Sequence, residues 1–314
     1  MNTNQELTNK LYSSTLNDTL EIIKDLLNYG KNFIIIVSKS KKIKKAADKI
    51  LILWLRNIVE LLDGILCLYK GQSFNNSKIL ARTLFEYYLN FKYAFEKDKD
   101  IDIRLRSYEY FNLITHLNEY NKMLKSPKYP SPNFNLKTLE KEHPAFKEIM
   151  NTIKKEITSN TYLDLYTNTK YFFKYQPDET YEYLFDKNPI KKPIQWYSLT
   201  NPRIRSISGL ARHLNEKDLY IVFYKPYSNI IHAGDALNGL ISNANKIELK
   251  NFDQPEEMTS SLYFIIALIV NIYDLYMKYF SLEDKKYTDK YSNVDEKLNN
   301  IFARWSMIEK IISN

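Results

Sequence analysis

Two short stretches carry side chains of the types and spacing that chemistry needs. The first is Ala81-Arg82-Thr83-Leu84-Phe85-Glu86-Tyr87-Tyr88-Leu89-Asn90. At about 100° per residue, Arg82 and Glu86 share one helical stripe, with Ile79, Leu89 and Tyr93 beside them. Ionised groups on so apolar and aromatic a helix must be paired where they are buried. Two readings follow. Either the two form an intrahelical ion pair that braces a bundle, or Arg82 faces an anionic group that Glu86 orients or deprotonates. Asn90, one turn beyond Glu86, is a ligand-binding neighbour in the second reading.

The second stretch is Tyr224-Lys225-Pro226-Tyr227-Ser228-Asn229-Ile230-Ile231-His232-Ala233-Gly234. Pro226 suits the first turn of a helix, which places Ser228 and His232 one turn apart on a shared face. Tyr224 and Lys225 stand at the entrance, and Tyr224 and Tyr227 are expected to touch a ligand. A histidine among hydroxyls and a cation is suited to acid–base work on a phosphodiester. The alternative is a histidine that merely hydrogen-bonds Ser228, or Glu86 across the core. Of the other histidines, His213 beside Arg212 reads as plain surface, and His116 has no distinctive partner at helical spacing.

Several chemistries are excluded or disfavoured. The chain has six glycines in 314 residues, about 2% against a usual ~7%. None forms the glycine-rich loops that let backbone amides approach phosphate, so dinucleotide folds and P-loop enzymes are unlikely classes. A single cysteine, Cys67, rules out an internal disulfide framework and a cysteine-based zinc site. Glu140-Lys141-Glu142-His143 matches one E-x-x-H, but a helical di-iron site requires two of these and further glutamates. No nucleophile elbow occurs. No cofactor and no metal are expected.

The elements that must position these residues are helices. Leu16, Leu20, Ile23, Leu26 and Leu27 recur at three- and four-residue steps over 16–37. Ile50, Leu51, Trp54, Leu55, Ile58, Leu62, Ile65 and Leu66 form a broad stripe over 43–70, closed near Gly71. Further helices are expected at about 78–97, 102–124, 144–157, 203–214, 216–224, 226–240, 256–280 and 293–312. Residues 126–132, Ser-Pro-Lys-Tyr-Pro-Ser-Pro, cannot continue a helix. The tyrosine-rich stretch 161–200 is broken by prolines and is expected to hold short helices and loops, and only Lys246–Lys250 reads as strand-like. The expectation is an all-α multi-helix bundle, a single domain over 1–314, with a family-like core at about 45–280. Its elaborated, proline- and tyrosine-rich middle is a loop-rich insertion at 126–200, and 281–314 forms a C-terminal helix.

Lys plus Arg is 45 and Asp plus Glu 37, a formal charge of +8. That balance favours anionic partners weakly, and the densest run, Lys39 to Lys45, also suits a solvated helix start. The N-terminus lacks a secretory pattern. The most apolar segment, Tyr263–Val270, is far shorter than the roughly 20 residues a span requires. The protein is expected to be soluble and cytoplasmic, without a membrane partner. Tyrosines interleaved with lysines at 162–183 could stack bases but suit packing under a long loop better. The stripe Phe302, Trp305, Ile308, Ile311 and Ile312 either covers the core or pairs with a second copy.

At these residues a resemblance emerges. The A-R-T-L-F-E helix followed by Asn90, Tyr93 and Ala94 resembles the first signature of a bacterial all-helical domain-of-unknown-function family. Trp196 through Ile207 and Leu210 to Tyr220, Tyr224, Ser228 and His232 resembles its second, W and then Y-x3-S-x3-H. The resemblance implies a helical bundle in which Arg82, Glu86 and His232 meet in a central pocket, and no established activity. A weaker similarity is to HEPN-type helical ribonucleases of toxin and phage-defence systems. Their R-x4-6-H hallmark is replaced here by Lys225-x6-His232, and they usually act as homodimers. The leading expectation is therefore a cytoplasmic defence-type effector that cleaves RNA without metal. His232 would be the acid/base, Arg82 and Lys225 would hold phosphate, and Glu86 and Ser228 would position them. The alternative is a non-catalytic helical module that senses a small anionic ligand or scaffolds a partner protein of a defence system.

Overall fold

The computed structural model describes residues 3–39, 45–125, 144–165, 173–175, 181–183, 195–231, 240–243, 246–249, 258–282 and 296–308. The fold is all-α. The helices are α1 (Thr3–Lys39), α2 (Ala46–Lys70), α3 (Phe74–Ala94), α4 (Ile101–Lys125), α5 (Pro144–Ile157), α6 (Ile207–His213), α7 (Lys217–Leu219), α8 (Lys225–Ile231), α9 (Met258–Phe280) and α10 (296–308). The chain forms two compact units. One comprises Met1–Lys92 with Leu214–Asn314, the other Tyr93–His213, and the first division falls in the last turn of α3.

In the first unit the apolar stripe of α2 is buried throughout. Leu51, Leu55, Ile58, Leu62 and Ile65 are fully covered, and Trp54 packs against Phe91 of α3. Asp48, in the first turn of α2, accepts from the Lys45 backbone N–H at 2.8 Å and from the Tyr279 hydroxyl at 2.7 Å. One carboxylate thus both caps α2, where an anion suits the helix dipole, and ties it to α9. Gly30 lets α1 approach its neighbours. A Cβ there would collide with the Tyr273 hydroxyl and Val59 Cγ2, and that hydroxyl donates to the Leu26 carbonyl at 2.9 Å.

Residues Ser261–Phe280 are long and apolar enough to cross a membrane. Within this unit Leu262, Ile265, Ile269, Ile272 and Tyr273 of the same helix are buried in the core. The stripe on α10 covers that core as well. Trp305 is fully buried, donates from its indole N–H to Thr19 Oγ1 at 3.1 Å and meets Tyr12 edge-on. Ile311 and Ile312 lie outside the described residues.

The second unit packs Tyr110, Ile114, Leu117, Ile157, Tyr162, Leu165 and Leu199 into one cluster between α4 and α5 and the segments that follow. Tyr162 is buried here, as packing under a loop requires.

Four expectations about elements need correction. The stretch 161–200 contains an antiparallel pair, β1 (Phe173–Tyr175) with β2 (Tyr181–Tyr183), in a register that sets Phe173 opposite Tyr183 and Tyr175 opposite Tyr181. Alternating aromatics favour a pleated pair there, while a short helix expected in this stretch is present as a 3-10 turn at Trp196–Ser198. The helix expected over 226–240 is described only to Ile231, and Leu240 already belongs to β3 (Leu240–Asn243), which pairs with β4 (Lys246–Leu249). Strand-like character is therefore not confined to 246–250. Helix α3 starts four residues early and stops at Ala94, before the acidic turn Asp98–Asp100. The helix expected at 216–224 is α-helical only at Lys217–Leu219 and π-helical at Tyr220–Tyr224.

Candidate functional site

Helix α3 presents Lys78, Arg82 and Glu86 at successive four-residue steps, so the three side chains lie one above another. The segment that crosses this face runs from Glu216 through the π-helical turn into α8. Tyr224, the last residue of that turn, is buried at 5% exposure. Its hydroxyl donates to Glu86 Oε1 at 2.7 Å and accepts from Arg82 Nη2 at 3.0 Å, while Arg82 and Glu86 stand 3.3 Å apart. The Arg82 guanidinium carbon lies 5.0 Å from the centroid of the same ring. Arg82 and Glu86 do pair along the helix, and the tyrosine completes the set.

Burial, and then the Glu86 carboxylate, push the Tyr224 phenol well above its ordinary range, against the opposing pull of Arg82. The hydroxyl therefore stays protonated and acts as donor, not base. Phe85 and Tyr220 flank the Tyr224 ring, the latter stacked at 5.1 Å. One turn earlier on α3, Lys78 is almost fully buried, its ammonium 6.0 Å from the Tyr227 ring centroid.

A second set anchors the start of the crossing segment. Glu216 accepts from the Tyr88 hydroxyl at 2.6 Å and pairs with Lys92. Burial and Glu216 push the Tyr88 phenol upward too. The π-turn explains how one segment reaches both anchors. Eight residues of α-helix would leave Glu216 and Tyr224 about 80° apart around the axis. A π-turn absorbs one extra residue, which brings them to within about 20° of one face.

Of the residues expected in the site, all but His232 are described. Arg82, Glu86 and Tyr224 come together, and Tyr224 is the hub of the set, not a residue at its entrance. Tyr227 is buried beside Lys78 and Phe264. Asn90 is half-buried one turn beyond Glu86. Lys225 is exposed at the start of α8 and Ser228 half-buried one turn after Tyr224. His232 lies outside the described residues, as does Glu140–His143. Among the described residues no cluster of His, Cys, Asp or Glu could hold a metal ion.

Sequence reasoning missed Lys78, Glu216, Tyr88 and Lys92. Lys78 was legible as the residue one turn before Arg82, whereas Glu216 carries no local signal, since its partners are more than a hundred positions away. It also misjudged His213. That residue is solvent-exposed but not idle, because its Nε2 lies 2.9 Å from Glu96 Oε1 and its ring faces Tyr93 edge-on. Glu96 Oε2 accepts from the buried Arg104, which also bonds the Tyr93 carbonyl and lies 4.2 Å from the Tyr93 ring centroid.

The fold and this face define an all-α protein whose polar groups gather on one side of a core helix, held there by a tyrosine from a π-turn. Residues 48–248 match the family of unknown function DUF5677, well over half the chain, and the chain belongs to that family. No curated protein and no solved structure matches it.

Proposed function

We propose that this chain is a helical module that recognises a small anionic ligand on the α3 face carrying Lys78, Arg82 and Glu86. The observation that supports this most is the Arg82 guanidinium, held between Glu86 and a phenol that keeps its proton. With the ammonium of Lys78 one turn away, the groups can bind and orient an anion, and the phenol supplies no base. Inorganic phosphate binding to the full chain, compared with Arg82→Ala and Lys78→Gln, tests the reading. Loss of binding in variants that melt within a few degrees of the parent supports it, and unchanged binding refutes it.

A second reading is a cytoplasmic defence-type effector with metal-independent RNase activity. It is favoured by Lys225, exposed, and Ser228, half-buried, on the helix that precedes His232 in the chain. Those groups would hold and position a phosphodiester for His232. RNA cleavage in EDTA that vanishes in folded His232→Ala supports this reading, and no cleavage by the parent chain counts against it.

A further inference from the structure

Arg82 carries a donor that its surroundings do not use. Its Nη2 gives to the Tyr224 hydroxyl and faces Glu86, yet its Nε is buried and has no hydrogen-bond partner among the described residues. Buried polar groups are nearly always paired, so an exception calls for a reason. Nε and Nη2 lie on the same edge of the planar guanidinium, the edge that offers two parallel N–H groups to a two-oxygen acceptor. Here the phenol oxygen takes Nη2 and leaves Nε unfilled.

We propose that the ligand is a phosphoryl group that takes both nitrogens of this edge, displacing the Tyr224 hydroxyl from Arg82 and leaving it donating to Glu86 alone. The inference rests on the anion-recognition reading above and specifies its ligand and mode of entry. Tyr224 keeps a partner throughout, since its bond to Glu86 at 2.7 Å is the shorter of the two. A carboxylate would spend both oxygens on Arg82. A phosphoryl group has a further oxygen for Lys78, which stands one turn away on the same stripe and within about 6 Å at the Cβ level.

The test is side-chain ¹⁵N–¹H spectroscopy of the arginine Nε groups in the full chain, titrated with inorganic phosphate and separately with acetate. The Arg82 signal is assigned by its absence in Arg82→Lys. The expected result is a saturable shift of that signal with phosphate and a much weaker response to acetate. Affinity should rise about threefold to tenfold in Tyr224→Phe, where the competing hydroxyl is gone, and fall about tenfold in Arg82→Lys, which keeps the charge but loses the fork. Weaker phosphate binding in folded Tyr224→Phe would overturn the displacement, because the hydroxyl would then belong to the binding site. Equal responses to acetate and phosphate would overturn the phosphoryl assignment. If Tyr224→Phe fails to fold, the Nε signal of the parent chain decides alone, and its constancy at saturating phosphate overturns the proposal. Phosphate affinity unchanged in Arg82→Ala, or absent in the parent, would remove the anion-recognition reading itself.

Discussion

Tyr224 and Glu216 tie one crossing segment to α3 through matching sets of groups with opposite origin. At Tyr224 the segment supplies the phenol and α3 supplies the carboxylate and cation, Glu86 and Arg82. At Glu216 the segment supplies the carboxylate and α3 the phenol and cation, Tyr88 and Lys92. Each carboxylate accepts from a tyrosine whose proton burial helps to retain. The π-turn between them sets the phase that lets both work at once.

That phase relationship has a direct consequence. Inserting an alanine after Val222, which is 59% exposed, adds about 100° to a segment whose one extra residue the π-turn already absorbs, and should rotate one anchor off α3. A loss of about 2 kcal/mol or more is expected in denaturant melts, whereas Val222→Ala should stay within about 0.5 kcal/mol because its side chain faces solvent. Equal stability of the insertion variant would show that the phase set by the turn is not needed to hold both anchors.

Removing the hydroxyl alone tests the Tyr224 set. Tyr224→Phe keeps the ring packed on Phe85 and should cost about 1 kcal/mol, the net worth of a typical hydrogen bond, with the denaturant slope unchanged. Urea unfolding of the two chains measures it directly.

At Gly30 the expected effect is larger. A methyl group there meets the Tyr273 hydroxyl and Val59 Cγ2, so Gly30→Ala should lower stability by about 1–3 kcal/mol through overpacking. The variant should also release the Tyr273 bond to the Leu26 carbonyl, which hydrogen exchange in that part of α1 would register.

Acid stability should depend on Glu96. Burial alone would raise its carboxyl, but His213 and Arg104 outweigh this and hold it below the ordinary value. A carboxylate depressed in the folded state adds stability that is complete above its unfolded value and is lost as the pH falls through the folded one. The Glu96→Gln variant should therefore show a shallower fall in stability below about pH 4.5 than the parent chain. Thermal melts from pH 6 to pH 3 compare the two slopes.

Much of this protein is written locally. Three- and four-residue apolar steps specify α1, α2 and α9, Pro144 marks the start of α5, and Gly71 lies just past the end of α2. The Arg82–Glu86 pair was legible because helical spacing alone makes such residues neighbours. The π-turn was not, since an extra residue per turn leaves the composition of a segment unchanged and shows only in which partners its ends must reach. Glu216, like Glu96 beside His213, owes its role to groups brought near by folding. Periodicity and caps thus determined which residues are helical and which faces are apolar. Only tertiary packing decided that a tyrosine 138 positions from Glu86 would complete its site, because long-range pairing depends on the relative placement of whole helices.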